Sequence, residues 1–371
     1  MIDLSVYVIA KNEGKSLRNV LNHFKKLGAE IIVGVDKSSE DSTILIGKEM
    51  ADVFFIFDWN ELGFAGSRNL AISYCTRRWI FQVDGHEYLD FNSHKYLPSL
   101  ISSSEEFVAV NIKINLIGSR GWKPIYSFYF PRLFRNHMGI HYNGWVHASL
   151  TGLEKARVVF CSEIVLRHKR TRRLALKRHK QRVVENIPYF EGKTDNREQP
   201  DHKRSLFYLG CIYQEQGNSK RAIQSYKEYL EISEYGEERY QAGLELAQCL
   251  IKSGENRVGE VEEILYGTGC DNWCRNEHLI LLGDIYFAKE EYIKALHFYR
   301  LASQYDEPQS FFPYTVDCYK GIPFEKMSQT LAVLGRIDEA IKVARKVLRF
   351  RRDKEALSIM KKLLDYRQLV N

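Results

Sequence analysis

The stretch RWIFQVDGHEYLD, residues 78–90, decides how the first half of the chain reads. Trp79-Ile80-Phe81-Gln82-Val83 is an apolar run of the length of a buried strand. Asp84, Gly85, His86 and Glu87 follow it without a spacer. Asp-Gly is common turn punctuation. A carboxylate, an imidazole and a second carboxylate at one strand tip are also the side chains that collect a cation. On these residues alone both readings stand.

Working outward, the same grammar recurs. LSVYVIA (4–10), EIIVGVD (30–36) and DVFFIFD (52–58) read as strands, with RWIFQVD (78–84) as a fourth. Between them lie KNEGKSLRNVLNHFKKLG, an amphipathic helix closed by Gly28, then SSEDSTILIGKEMA, which opens like a capped helix at Asp41 and Ser42, and FAGSRNLAISYCTR. Alternating strands and helices predict βαβ units and a largely parallel sheet. Ligands of such sheets gather beyond the carboxyl ends of the strands. Asp36, Asp58 and Asp84 each fall at the last position of a predicted strand. Even if one of them caps a helix, two carboxylates remain at that edge.

Past residue 165 only helical patterns remain, and they repeat. SLFYLGCIYQEQGNSKRAIQSYKEYL (205–230) carries Leu209-Gly210, Tyr213, Gly217, Ala222 and Tyr226. LILLGDIYFAKEEYIKALHFYRLA (279–302) carries Leu282-Gly283, Tyr286, Ala295 and Tyr299 at matching offsets. A degenerate copy around Ala247 and a further one with Gly335, Ala340 and Ala344 complete the series, and EPQSFFPYTVDCYKGIP (307–323) interrupts the last repeat. This spacing resembles the tetratricopeptide repeat, in which small residues let paired helices approach and aromatics fill the groove. These residues are therefore assigned to the core.

The chain has 371 residues, 44% hydrophobic and 27% charged, which suits two soluble domains. No apolar run approaches the roughly 20 residues of a membrane span. MIDLSVYVIAKNE reads as a first core strand rather than a signal peptide. The seven cysteines are scattered, and Cys270 and Cys274 lack the second pair that a zinc site needs. A reduced, cytoplasmic chain is expected. The net charge of +7 centres on Arg167–Arg182, RHKRTRRLALKRHKQR, with nine Lys/Arg and no acid. Such a run is either a solvated face or a phosphate-binding surface. The expected organisation is an α/β domain over 1–165, a basic helical connector over 166–200 and a helical repeat domain over 201–371.

Five stretches in order, IAKNE, VDKSSEDST, SRN, VDGHE and PRLFRNHMGIHYNGWVHASL, resemble the family 2 glycosyltransferases of GT-A fold. With tetratricopeptide-like repeats behind it, the arrangement is similar to a bacterial subgroup that includes the S-glycosyltransferases of glycopeptide bacteriocins. The resemblance implies a Rossmann-like GT-A domain that moves a hexose, with inversion, from a nucleotide diphosphate sugar, uridine diphosphate being the expected carrier. It places Asp36 against the base or ribose, a role suited to an acceptor-only carboxylate. Arg68 falls on the nucleotide-contacting guanidinium, and Lys11, Asn12 and Glu13 on the pocket wall.

In the family a D-x-D pair holds a divalent metal that bridges the donor diphosphate, neutralising charge on binding and departure. Here Asp84-Gly85-His86 resembles the D-x-H variant of the polypeptide N-acetylgalactosaminyltransferases. A neutral imidazole favours Mn²⁺ over Mg²⁺. His147, in GWVHA, matches a further ligand or diphosphate contact. Ala148 stands where the family has a Glu, so the catalytic base shifts to Glu87, with Asp90 as a poorer candidate. A thiol acceptor would need less help from a base.

Arg170, Arg172, Arg173 and Lys177 are expected to hold donor phosphates or grip an acidic acceptor. Nucleic acid binding through the 167–182 run would be strongly salt-dependent. A peptide or protein acceptor is favoured, with a homodimer formed through the repeats. The competing readings are transfer to modified bases in DNA, transfer to a carbohydrate, and a non-catalytic repeat scaffold on a degenerate transferase domain.

Overall fold

The computed structural model describes residues 2–103, 106–118, 123–144, 149–169, 187–192, 194, 202–234, 236–254, 257–272, 274–350 and 354–370. The chain divides into two compact units, Met1–Thr171 and Arg172–Asn371.

The first unit opens with β1 (Leu4–Ala10), α1 (Leu17–Lys25), β2 (Glu30–Asp36), α2 (Thr43–Met50), β3 (Val53–Phe57), α3 (Trp59–Ser73) and β4 (Trp79–Gln82). These are the strands and helices expected from the sequence. There follow β5 (Glu87–Leu89), α4 (Ser93–Ile101), β6 (Ala109–Ile117), β7 (Pro124–Arg135), β8 (His141–Asn143), β9 (Ser149–Thr151) and β10 (Val158–Lys169). The main sheet runs β3-β2-β1-β4-β7-β6-β10-β5, and β8 and β9 form a separate two-stranded ribbon.

The expectation of a largely parallel sheet holds only for the first half. β2 is parallel to β1 and β3, and β4 to β1. β7 is antiparallel to both β4 and β6, and β5 to β10. Only six residues of sequence separate β6 from β7, a span too short for a parallel crossover.

The first-half strands are apolar on both faces because both faces are covered. Leu4, Val6, Val8 and Ala10 of β1 enter one core, whereas Tyr7 enters the other. On α1, Leu17, Val20, Leu21 and Phe24 are buried at the i, i+3, i+4, i+7 spacing of one helix face. They pack on Val6, Ile31 and Phe81. Three strand ends, those of β1, β2 and β4, are thereby held side by side.

β10 continues to Lys169. Arg167 and Lys169 thus lie in a strand rather than in a helical connector. Arg170, Arg172, Arg173, Lys177 and the rest of the run to Arg182 lie outside the described residues.

The second unit is helical: α5 (His202–Glu215), α6 (Ser219–Ile232), α7 (Gly236–Lys252), α8 (Val258–Asp271), α9 (Glu277–Ala288), α10 (Tyr292–Ala302), α11 (Ile322–Val333), α12 (Ile337–Phe350) and α13 (Lys354–Val370). The small-residue rule is visible in the contacts. A Cβ on Gly210 would lie 2.5 Å from the Tyr226 ring, and one on Gly283 would lie 2.4 Å from the Tyr299 ring. Two repeats thus use the same Gly–Tyr packing sixteen residues apart. Ala222, Ala247, Ala295 and Ala340 are fully buried. The interrupting segment docks on its own repeats. Asn276 Nδ2 donates to the Cys318 carbonyl at 2.9 Å, and the Tyr319 hydroxyl donates to Glu277 at 2.7 Å. No described helix is long and apolar enough to cross a membrane.

Candidate active site

Asp84 lies just beyond the carboxyl end of β4, and the turn that follows builds the site. The Glu87 amide donates to the Asp84 carbonyl at 2.9 Å, an i to i+3 turn. Glu87 Oε2 accepts from the Asp84 amide at 2.9 Å. The Asp-Gly pair is therefore turn punctuation. A Cβ on Gly85 would stand 3.0 Å from Glu13, so the bare backbone lets the β1 loop approach the turn.

Two guanidiniums converge on Asp84. Arg132 of β7 is almost wholly buried, 2.9 Å from Glu87 Oε1 and 3.4 Å from Asp84 Oδ2. Arg68 of α3 reaches to 4.0 Å from Asp84 Oδ1. The Gln82 side-chain amide Nε2 donates to Asp84 Oδ1 at 2.8 Å. Burial alone would raise the Asp84 carboxyl pKa. Arg132, Arg68, His86 and His168 outweigh that and hold it well below the usual carboxylate range.

His86 sits 3.1 Å by Nδ1 from Glu13 Oε1. Because a carboxylate only accepts, Nδ1 carries a proton. Burial lowers the His86 pKa, but the hydrogen bond to Glu13 and the charges of Asp84, Glu13 and Glu87 raise it to about 9. His168 of β10 packs edge-on against His86 with ring centroids 4.3 Å apart, and its Nδ1 is 3.8 Å from Glu87. The β5–β10 register, which pairs His168 with Glu87, brings it there.

Asp36, the last residue of β2, is only 1% exposed. It accepts from the Ser38 amide and the Trp59 amide, each at 2.9 Å, and from the Ser38 hydroxyl. Lys11 stands 3.4 Å away. Burial pushes its carboxyl up, but the Ser38 and Trp59 hydrogen bonds and the Lys11 charge bring it below its ordinary value. Its acceptor sites are thus engaged within the fold. Asn12 adopts a left-handed backbone, φ 54°, and its Oδ1 accepts from the Glu40 amide at 2.7 Å, closing the loop beside Lys11. The Glu13 amide donates to Thr43 at 2.7 Å. Asp58 is the helix-capping member of the three strand-end carboxylates, accepting from the Asn60 amide at 2.9 Å.

The structure therefore gathers Lys11, Glu13, Asp36, Arg68, Asp84 and His86 on one edge. It does not present Glu87 as a base. That carboxylate is 1% exposed and engaged by Arg132 and the Asp84 amide, so it orders the turn instead. Asp90 is paired with Arg167. His147 and Ala148 lie outside the described residues. Among the described residues no group of three or more His, Cys, Asp and Glu is arranged to hold a metal ion. Asp84 carries oxygen donors and His86 nitrogen donors, and the Asp84 oxygens are engaged by Gln82, Arg68 and Arg132.

Sequence reasoning did not assign roles to Arg132, His168, Asn69 or Tyr142. Arg132 carried a signal, a guanidinium flanked by Pro131 and Leu133 inside the mostly apolar PIYSFYFPRLFR strand. A buried charge there needs partners. His168 is placed only by strand register, which no local pattern discloses.

Residues 5–156 match the glycosyl transferase family 2 model, and residues 204–235 match a tetratricopeptide repeat. The first match falls within the N-terminal unit, and the second falls within the helical unit. An uncharacterized glycosyltransferase of Rickettsia felis is 28% identical over 126 residues, covering 33% of this chain and 44% of that protein. The lipopolysaccharide core biosynthesis glycosyltransferase LpsC of Rhizobium meliloti is 30% identical over 112 residues, 29% of this chain and 40% of its own. The SPbeta prophage-derived glycosyltransferase SunS of Bacillus subtilis is 26% identical over 140 residues, 38% and 33% of the two chains. The chain spans less than half the length of the curated relatives it matches.

Proposed function

We propose that the protein is a glycosyltransferase that moves a hexose from a nucleotide diphosphate sugar, with uridine diphosphate as carrier, to a peptide or protein acceptor. The observation that carries the proposal is the convergence of Arg68, Arg132 and His86 on Asp84 at the carboxyl end of β4. Asp84 and His86 would hold a divalent cation, Mn²⁺ by the softness of imidazole. When bound, that ion supplies neutralisation of the donor diphosphate. The chain's own residues do the rest. Arg68, in the wall of the site, presents a guanidinium to phosphate or base. Lys11, half exposed above Asp36, supplies a second cation at the β2 end. Glu13 keeps the proton of His86 on Nδ1.

The tetratricopeptide repeat sequence that follows the α/β unit supports a peptide acceptor. The likeness to LpsC favours a second reading, a carbohydrate acceptor. One panel separates them. Purified protein with Mn²⁺ is incubated with a set of nucleotide sugars, and donor hydrolysis is followed alone, then with cysteine- and serine-containing peptides and with core oligosaccharides. Stimulation by peptide supports the first reading and stimulation by oligosaccharide the second. No turnover of any donor would refute both.

A further inference from the structure

We propose that Asn69 is a positioning residue that sets Arg68 through Tyr142, an inference that rests on the nucleotide-binding role proposed for Arg68. The SRN segment places three consecutive side chains about 100° apart around α3, and each makes a different contact. The Ser67 hydroxyl turns back to donate to the Gly63 carbonyl at 2.7 Å, at the kinked first turn of the helix. Arg68 points to Asp84. Asn69 points to β8, where its Nδ2 donates to the Tyr142 carbonyl at 2.9 Å and its Oδ1 accepts from the Tyr142 amide at 2.7 Å.

This two-pronged contact has a clear geometry. In an antiparallel pair the outward N–H and C=O of an edge strand belong to the same residue. Tyr142 faces Leu150 across the β8–β9 ribbon. Its own backbone groups point away from that partner, and the Asn69 amide meets them as a neighbouring strand would. An aspartate in its place could accept but not donate.

The consequence falls on Arg68. The Tyr142 ring is buried and lies 5.1 Å from the Arg68 guanidinium, with Phe64 at 5.3 Å as a second wall. A guanidinium packed against two rings has few rotamers to lose when it meets a ligand. Asn69 fixes the backbone that carries one of those rings. Both Asn69 side-chain hydrogen bonds go to the Tyr142 backbone, so its effect on Arg68 passes through Tyr142.

A double-mutant cycle on the full chain tests this, with Mn²⁺ and uridine diphosphate titrated calorimetrically. Asn69→Asp should weaken binding on the order of tenfold, and Arg68→Met should weaken it at least as much. In the Arg68→Met background, Asn69→Asp should add less than about twofold. Tyr142→Leu, which removes the ring and keeps the clamp, should reproduce the loss and serves if Asn69→Asp does not fold. Equal losses from Asn69→Asp in both backgrounds, or wild-type affinity in Tyr142→Leu, would overturn the positioning role while leaving the functional proposal intact. A folded wild type that does not bind the nucleotide, or one unaffected by Arg68→Met, overturns the role of Arg68 and this inference with it.

Discussion

Replacing Arg132 by methionine gives the sharpest account of what holds the site together. The guanidinium lies 2.9 Å from Glu87 and 3.4 Å from Asp84, and Glu87 is 1% exposed. Burial would lower the Arg132 pKa, but Glu87 and Asp84 raise it above its ordinary value. Arg132→Met removes the cation and strands the Glu87 charge in the interior, where the Asp84 amide remains a hydrogen-bond donor to it. Removing one partner of a buried pair costs about 3–5 kcal/mol. For a unit of this size that is a fall in melting temperature on the order of 6–20 °C. Differential scanning calorimetry of the full chain, following the transition of the N-terminal unit, reads it out. Adding Glu87→Gln removes the stranded charge and keeps an acceptor for the Asp84 amide, so the double variant should recover more than half of the loss. A cost below about 1 kcal/mol for Arg132→Met, or no recovery in the double variant, would refute the argument that Glu87 and Arg132 form a buried structural pair.

Other consequences are as direct. Asp84→Ala should abolish sugar transfer while the circular dichroism spectrum stays native, since Asp84 contributes no apolar contact to the core; retained turnover would remove it from the site. His86 should titrate near 9 by NMR in metal-free protein, and Glu13→Gln should move that value down because the leading stabilising hydrogen bond is gone. His278 is held down to about 4, chiefly by burial. The unfolded chain therefore binds a proton that the folded chain does not as pH falls below about 6.5, costing up to about 3 kcal/mol by pH 4. His278→Gln should flatten that part of the stability profile, and an unchanged slope would contradict it. Gly283→Ala drives a methyl against Tyr299 and should destabilise the helical unit by about 1–3 kcal/mol despite the better helix propensity of alanine, as measured by urea denaturation.

The first half of the fold was legible because its strands are covered on both faces and so are apolar throughout, with polar helices between. The stretch from β4 to α4 was legible as a turn, and the Asp84–Glu87 turn is there. The sheet's second half was not, because β6, β7 and β10 are long strands whose order and direction depend on pairings far apart in sequence. The same limit explains the site. Lys11, Asp36, Arg68 and Asp84 sit at strand ends or on the helix beside them, where local pattern places them. Arg132 and His168 arrive through sheet register. Glu87 misled for a related reason: a carboxylate next to D-x-H looks available in sequence, and only burial against Arg132 shows that it is spent on structure. The repeats were readable because Gly and Tyr recur at fixed offsets, and packing at those offsets is local.

The most direct test of a nucleotide-sugar site at Asp84 is calorimetric titration of uridine diphosphate with Mn²⁺ into the wild type and Asp84→Asn. The account predicts saturable binding by the wild type, dependent on the metal, and loss of that dependence in the variant, which still unfolds in a cooperative transition. Equal binding by both proteins, or none by a folded wild type with any nucleoside diphosphate, would contradict it.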